Sequence, residues 1–236
     1  MLTELIFALL SVILLCRILY GIILKIKDIR WLRAKGMTFR EYFDEKQFKG
    51  KVAEYGVSDR LKRMGTDYKV FDGIMIRCQW GTSQIDHIVV SKYGIFVIET
   101  KNYQGKIYGA DKSENWKQYI HGNEYRMVNP VRQNQGHVRA LMECLPTYNQ
   151  FQYVSIVAFA GDANVKTNCQ NVVYVYELTK YISNRKKEIL TEKQVDEYCN
   201  KLNELNILSE EERKKHNVNV EHNNYLKEHG TSFRSI

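Results

Sequence analysis

The chain has 236 residues, a formal net charge of +8 and a pI near 9.1. This length suits one domain with appendages. Its five scattered cysteines form no Cys-x-x-Cys pair, which argues against a disulfide framework or a cysteine-based zinc site and favours a reducing compartment. The excess of basic residues favours binding to a polyanion or to an anionic membrane surface and does not distinguish between the two.

The first predicted element is an apolar stretch at residues 5–24, which is long enough for a helix that crosses the hydrocarbon core of a bilayer. Arg17 interrupts it, but lies past the middle and can extend toward the nearer face. Basic residues follow the stretch: Lys25, Lys27, Arg30, Arg33 and Lys35. The positive-inside rule then predicts a single-pass cell-membrane protein with most of the chain in the cytoplasm. An amphipathic or buried helix is the alternative.

Residues 50–64 are predicted to form the first helix of the domain, because Val57, Leu61 and Met64 recur at helical spacing. Glu54 lies one turn before Ser58 and so falls near the core-facing side of this helix. The next segment, residues 68–77, alternates loosely in hydrophobicity and is predicted to be a strand interrupted by a turn at Asp72-Gly73.

A β-hairpin is predicted at residues 83–102, where two runs rich in Ile, Val and Phe flank a short Lys-Tyr-Gly turn. Gly94 can supply the positive φ that such a turn needs. Three charged residues interrupt these apolar strands: Asp86, Glu99 and Lys101. Buried charges are costly unless they are paired or bind a metal, so the presence of these three in apolar strands indicates pairing or metal binding.

The position of the turn determines which residue of the second strand lies opposite Asp86. Directly opposed residues of an antiparallel pair point to the same face of the sheet. A two-residue loop at residues 92–93 sets Asp86 opposite Glu99, and one at residues 93–94 sets it opposite Lys101. Both registers put the three charges on one face, whereas a three-residue loop does so only with a bulge. A divalent cation relieves the repulsion between adjacent carboxylates, and a lysine beside it can orient water or stabilise a developing oxyanion. His87 points to the other face and is predicted to pack or to form hydrogen bonds.

The hairpin and its surroundings resemble the nuclease-related domain, NERD, of the PD-(D/E)XK restriction-endonuclease-like superfamily. The resemblance rests on Gln-Ile-Asp-His at residues 84–87, on residues 96–105, on Trp116 and on residues 129–137. It covers roughly residues 50–159. The isolated D…ExK pattern is weakly specific, but the extended block is strong support for family membership.

The resemblance implies an active site. Asp86 and Glu99 would hold Mg²⁺ or Mn²⁺, with the Thr100 carbonyl as a further ligand. Lys101 would position the attacking water and stabilise charge on the phosphorane. Glu54 matches a helical glutamate of the family's acidic cluster and would hold a second metal or orient water, although Ala53 stands where family members often have glycine.

Residues 102–129 are loop-rich and polar, and their aromatic side chains alternate with basic ones. We expect ordinary packing of a small β-extension here, with stacking of nucleic-acid bases as the alternative. Pro130 then opens a second helix, in which Gln133 and His137 are four residues apart and share a face. These two side chains, together with Gln84, are candidate substrate contacts, and a plain polar helix face is the alternative.

These features predict an α/β fold in which a mixed, restriction-endonuclease-like central sheet is flanked by helices and preceded by one transmembrane helix. The expected divisions are an anchor at 1–25, a charged juxtamembrane connector at 26–49, the nuclease-like core at 50–160, a completing strand and helix at 161–208, and a polar tail at 209–236.

The expected function is that of a membrane-anchored, metal-dependent nuclease that hydrolyses nucleic-acid phosphodiester bonds, with DNA preferred over RNA. The alternative is a catalytically inactive protein with the same fold that binds nucleic acid or scaffolds partners at the membrane. The sequence leaves open the oligomeric state, the sequence preference, and whether cutting is internal or from an end.

Overall fold

The computed structural model describes residues 45–79, 81–149, 151–207 and 209–229. The chain divides into two units between Lys51 and Val52, and both sheets described below lie in the second unit, Val52–Ile236. The described elements, in chain order, are α1 (Glu45–Lys62), β1 (Lys69–Cys78), β2 (Gly81–Ser91), β3 (Gly94–Asn102), β4 (Lys106–Tyr108), β5 (Asn115–Ile120), β6 (Asn123–Val128), α2 (Pro130–Cys144), β7 (Tyr153–Ala160), β8 (Asn164–Lys166), β9 (Val172–Tyr174), α3 (Val175–Ser183), α4 (Glu192–Leu205) and α5 (Glu210–His229).

The larger sheet has five strands in the order β1-β2-β3-β7-β9. β1, β2 and β3 pair antiparallel, whereas β7 joins β3 in parallel and β9 joins β7 in parallel. The sheet is therefore mixed, which confirms the predicted α/β class and the antiparallel arrangement of its first three strands.

Helices cover both faces of this sheet because its strands are apolar on both sides. On one face, α2 and α4 pack against β1, β2 and β3 through Leu141, Val195, Tyr198 and Leu202. On the other face, Val57 and Leu61 of α1 and Leu178 and Ile182 of α3 pack against β2, β3 and β7.

The hairpin between β2 and β3 turns at Lys92 and Tyr93. Ser91 pairs with Gly94, and the ladder runs from there to His87, which pairs with Ile98. Gly94 has φ +134°, as its position after the turn predicts. This is the first of the two predicted registers, so its continuation sets Asp86 beside Glu99.

The ladder between β1 and β2 is broken at one position. Asp72 pairs with His87 and Ile74 pairs with Ile85, but Gly73 and Asp86 between them do not pair. Gly73 has φ +59°. Ile85 and Ile88 are three residues apart and would lie on opposite faces of a regular strand, but both pack in the same apolar cluster, so the alternation of side chains shifts by one residue between them. The interruption predicted at Asp72-Gly73 is thus a local distortion within a continuous strand, and it lies directly against Asp86.

The smaller sheet has four strands in the order β6-β5-β4-β8. Its strands β4, β5 and β6 lie in the loop-rich segment 102–129, where the sequence predicts a small β-extension, and β8 comes from residues 164–166. Its inner face buries Ile107, Trp116 and Met127. Its β5–β6 hairpin turns at His121 and Gly122, both with positive φ (48° and 84°). The outward-facing residues of its strands are polar, and this hides the strand alternation from a prediction based on hydrophobicity alone.

The predicted anchor at residues 5–24 lies outside the described residues. None of the helices described is long and apolar enough to cross a membrane. Residues 210–229, assigned from sequence to a polar tail, form α5. The segment just before this helix is tied to the larger sheet, because Ile207 donates its N–H to the Met75 carbonyl at 2.7 Å.

Candidate active site

The candidate site is built around the last residues of β3. Strand alternation places Glu99 and Lys101 on one face, and Lys101 Nζ donates to Glu99 Oε1 at 2.6 Å. Glu99 is only 4% exposed, so its charge depends on the partners that surround it.

α2 supplies two of those partners. Gln133 Nε2 donates to Glu99 Oε1 at 2.8 Å, and Gln133 Oε1 accepts from Lys101 Nζ at 3.0 Å. One turn later, His137 Nε2 lies 3.2 Å from Glu99 Oε2, and His137 Nδ1 lies 2.7 Å from Ser83 Oγ. The structure therefore brings the two predicted contact residues of this helix onto the predicted carboxylate.

The start of α2 is held by two buried asparagines, which explains the position of Gln133. Asn129 caps the helix by accepting from the N–H groups of Val131 and Arg132 at 2.9 and 3.3 Å. Asn134 Nδ2 donates to the carbonyls of Val97 and Ile156 and to Ser155 Oγ, at 2.8 to 2.9 Å.

Asp86 lies at the break in the ladder, where its Oδ2 accepts from the Thr100 N–H at 2.8 Å. Burial raises the pKa of Asp86 well above its ordinary value, and the nearby charges of Glu99 and Glu54 raise it further. Glu54 of α1 is therefore close enough to Asp86 to act on its charge.

The pKa values of Asp86 and Glu99 are shifted in opposite directions. Burial also disfavours the charged form of Glu99, but Lys101 and then His137 outweigh it and lower the pKa of Glu99 to about 2. Burial likewise disfavours the charge of Lys101, and Glu99 overcomes it and raises the pKa of Lys101. At neutral pH the site holds a tight Glu99–Lys101 ion pair beside Asp86, whose carboxyl group is harder to ionise than an ordinary aspartic acid.

Two of the predicted site residues, Gln84 and Thr100, have fewer side-chain contacts with the site. Gln84 pairs with Met75 two residues before Asp86, and no hydrogen bond joins its side chain to the site among the residues described. Thr100 is tied to Asp86 through its N–H group, and the role of its carbonyl as a metal ligand stays a prediction. His87 faces the other side, as predicted, with its Nδ1 2.8 Å from Asp72 Oδ1.

Sequence reasoning missed His216, which α5 brings to the edge of this site. His216 Nδ1 lies 2.8 Å from Thr82 Oγ1. Burial lowers the pKa of His216, and the neighbouring His137 lowers it further. The segment that carries it is strongly charged, so its sequence shows no sign that it packs near a buried cluster.

The donor set of the site is suited to a hard divalent cation, since carboxylate and carbonyl oxygens are the ligands that Mg²⁺ prefers. In the part of the chain that the structure describes, no three His, Cys, Asp or Glu side chains are grouped so that they could hold a metal ion. Mg²⁺ is commonly held by one or two carboxylates together with phosphate oxygens of the substrate, and Asp86 with Glu99 matches that pattern.

Comparison with known proteins gives three likenesses. Residues 49–160 match the nuclease-related domain, NERD. An uncharacterized protein of Bacillus anthracis, pXO1-01, is 32% identical over 189 residues, which are 77% of this chain and 88% of that protein. The crystal structure of a protein of unknown function, AF1548, is similar at a TM-score of 0.30 with 8% identity, over 68% of this chain and 91% of that one.

Proposed function

The chain belongs to the nuclease-related domain family, NERD, and we propose that it is a metal-dependent nuclease with a restriction-endonuclease-like core. The observation that carries the proposal is the convergence of Asp86, Glu99 and Lys101 at the break in the sheet. The resemblance singled out the same three residues, together with Glu54, as the catalytic set.

Asp86 is the best candidate to hold the metal, because a cation would offset the burial and the carboxylate repulsion that raise its pKa. Glu99 would be the second ligand and the Thr100 carbonyl a third, with Glu54 as a further candidate on the α1 side. When bound, Mg²⁺ or Mn²⁺ would polarise the phosphoryl oxygen and lower the pKa of a bound water.

The residues of the chain account for the remaining chemistry. Lys101 stays protonated beside Glu99, so it can stabilise the negative charge that develops on the phosphoryl group. Gln133 holds the Lys101 ammonium and the Glu99 carboxylate together through its two amide atoms. His137 orients the second Glu99 oxygen, and Ser83 holds its ring.

The test is a titration of the chain with Mg²⁺ and Mn²⁺ by calorimetry, alongside cleavage of labelled single- and double-stranded DNA and RNA. We expect Asp86→Asn, Glu99→Gln and Lys101→Met to lower cleavage by about 100-fold or more. The control is Asp59→Asn, which neutralises an exposed carboxylate of α1 that pairs with Arg63. It should cleave like the wild type.

Full activity in the three site variants would overturn the proposal. Nucleic-acid binding with no divalent-dependent turnover of any substrate would favour the alternative, an inactive nuclease fold kept for binding. Cleavage of DNA but not RNA would support the expected substrate preference.

We also propose that residues 5–24 anchor the protein in the cell membrane, with the nuclease domain in the cytoplasm. The support is the length and apolarity of the stretch and the basic residues after it. Retention in the membrane fraction after alkaline carbonate extraction is the expected result, and quantitative release would contradict it.

A further inference from the structure

The outer face of the smaller sheet carries a regular set of basic and aromatic side chains. Its strands alternate, so the residues that flank buried Ile107 and Trp116 point outward. We call this surface the basic-aromatic face; it consists of Lys106 and Tyr108 of β4, Lys117 and Tyr119 of β5, Arg126 of β6 and Lys166 of β8.

The strand register interleaves the two kinds of side chain. Lys106 pairs with Tyr119, and Tyr108 pairs with Lys117 on one side and with Lys166 on the other. The two tyrosine rings meet edge to face, with centroids 5.7 Å apart, and Tyr108 is 43% exposed. Tyr108 is thus bordered by lysines on both sides, and Tyr119 by Lys106 on one side and by Glu124 on the other.

The face carries an excess of positive charge. Its four cations, Lys106, Lys117, Arg126 and Lys166, are accompanied by one carboxylate on the same strands, Glu124. Glu124 is already engaged, because Lys117 Nζ lies 3.0 Å from its Oε1 and the Tyr119 hydroxyl donates to its Oε2 at 2.5 Å. Among the residues that the structure describes, no ion pair engages Lys106, Arg126 or Lys166, so these three cations are available to a negatively charged ligand.

A cavity of about 810 Å³ adjoins the same tyrosines. It is lined by Lys106, Tyr108 and Tyr119 from the face and by Gln104, His121 and Asp162 from the flanking loops. Aromatic walls with a cation, an amide and a carboxylate at the rim suit a planar heterocycle that carries hydrogen-bonding groups.

We propose that the basic-aromatic face is a binding surface for single-stranded nucleic acid. Exposed rings can stack on unpaired bases, whereas the bases of a duplex already stack on one another, and the interleaved cations match a phosphate backbone. The inference rests on the proposed function for the class of ligand and extends it to the strandedness of the substrate.

The face is connected to the candidate site by the chain itself. Lys101 of the site and Lys106 of the face are five residues apart, so their Cα atoms lie within about 18 Å of each other. This distance is short enough for a few nucleotides of a bound strand to span.

The first test removes the two rings. Binding of a fluorescein-labelled 15-residue oligothymidylate to the whole chain is followed by anisotropy in EDTA, together with a duplex of equal length. We expect Tyr108→Ala/Tyr119→Ala to weaken single-strand binding by roughly 5- to 150-fold for each base stack lost, and to leave duplex binding almost unchanged. Tyr125→Ala is the matched control, since Tyr125 is 51% exposed on β6 but alternates to the other side of the sheet.

The second test removes charge. Lys106→Ala/Lys166→Ala should lower the slope of log K against log salt by about 1.4, because two phosphate contacts are lost. Lys186→Ala/Lys187→Ala removes the same charge from an exposed loop and should leave the slope near the wild-type value. Thermal unfolding of every variant separates a lost contact from a lost fold.

The outcomes separate this inference from the proposed function. If Asp86→Asn binds the oligonucleotide normally and the face variants do not, the face is supported whether or not any variant cleaves. If the ring and charge variants both bind like the wild type, or lose single-strand and duplex binding equally, the inference is overturned and the nuclease proposal stands unaffected.

Discussion

Asp86 and Glu99 show how two neighbouring carboxylates acquire opposite properties from their partners. Glu99 is buried and has Lys101 and His137 against its oxygens, whereas the half-buried Asp86 has one N–H donor and two nearby negative charges. Glu99 therefore stabilises the folded chain in its charged form, and its contribution is lost as pH falls from about 4.3 through its folded pKa of about 2. Asp86 behaves in the reverse way.

The pKa of Asp86 is raised in the folded state, so its contribution to stability is present below the unfolded value of about 3.9 and is lost as pH rises through the folded value. Asp86→Asn should therefore increase the free energy of unfolding by about 0.5–2 kcal/mol at pH 8 without divalent cations. The gain should shrink toward pH 4, as followed by urea unfolding.

The same pair of proteins tests metal binding without an activity assay. Saturating Mg²⁺ at 100 times its dissociation constant should stabilise the wild type by about 2.7 kcal/mol and leave Asp86→Asn unchanged. A variant that is less stable than the wild type at pH 8, or equally stabilised by Mg²⁺, would contradict this account of Asp86.

At the scale of elements, α2 is the part that positions the polar groups of the site. Its cap, Asn129, also donates to the carbonyls of Ala110, Asp111 and Ser113, which joins the helix start to the loop before β5. Asn134 then binds α2 to β3 and β7. The helix is thereby fixed in rotation, and Gln133 and His137 face Glu99 as a result.

Asn134→Ala should lower the free energy of unfolding by about 1–3 kcal/mol, because two buried carbonyls and a hydroxyl lose their donor. It should also lower divalent-dependent cleavage, since Gln133 is the adjacent residue. Gln135→Ala is the control, because the Gln135 side chain forms an exposed hydrogen bond to Asp111 at 3.4 Å. Equal unfolding midpoints for the two variants would show that Asn134 does not hold the helix.

At the scale of the whole molecule, the end of the chain supports the break in the sheet. Arg213 of α5 donates from Nη1 to the Gly73 carbonyl at 3.0 Å, from Nη2 to Asn206 Oδ1 at 2.9 Å and from Nε to the Ile207 carbonyl at 2.8 Å. Gly73 is the residue that faces Asp86 across the unpaired position. A contact across 140 residues of sequence therefore stabilises the backbone next to the site.

Arg213→Ala should lower the free energy of unfolding by about 1–3 kcal/mol and weaken divalent-cation binding by calorimetry, because the backbone at Gly73 loses its support. Lys214→Ala removes a neighbouring charge of α5 whose side chain is 79% exposed, and it should change neither quantity. If the two variants behave alike, the support of the site by α5 is disproved.

Local patterns in the sequence were enough for the central hairpin and its charges. Period-two alternation put Glu99 and Lys101 on one face, the turn residues left two registers for a two-residue loop, and helical spacing put Gln133 beside His137. Each of these follows from interactions between residues near in sequence. The family likewise follows from a short block of residues, whereas metal binding and membrane attachment stay predictions.

Contacts between distant segments produced the rest. The unpaired Gly73–Asp86 position, the opposed pKa shifts of Asp86 and Glu99, and the approach of His216 to Thr82 all depend on partners that no local pattern identifies. The outer face of the smaller sheet arises in the same way, because its rings and cations become neighbours only when four short strands pair. Desolvation and Coulomb interactions act through space, so the properties of this site belong to the folded chain.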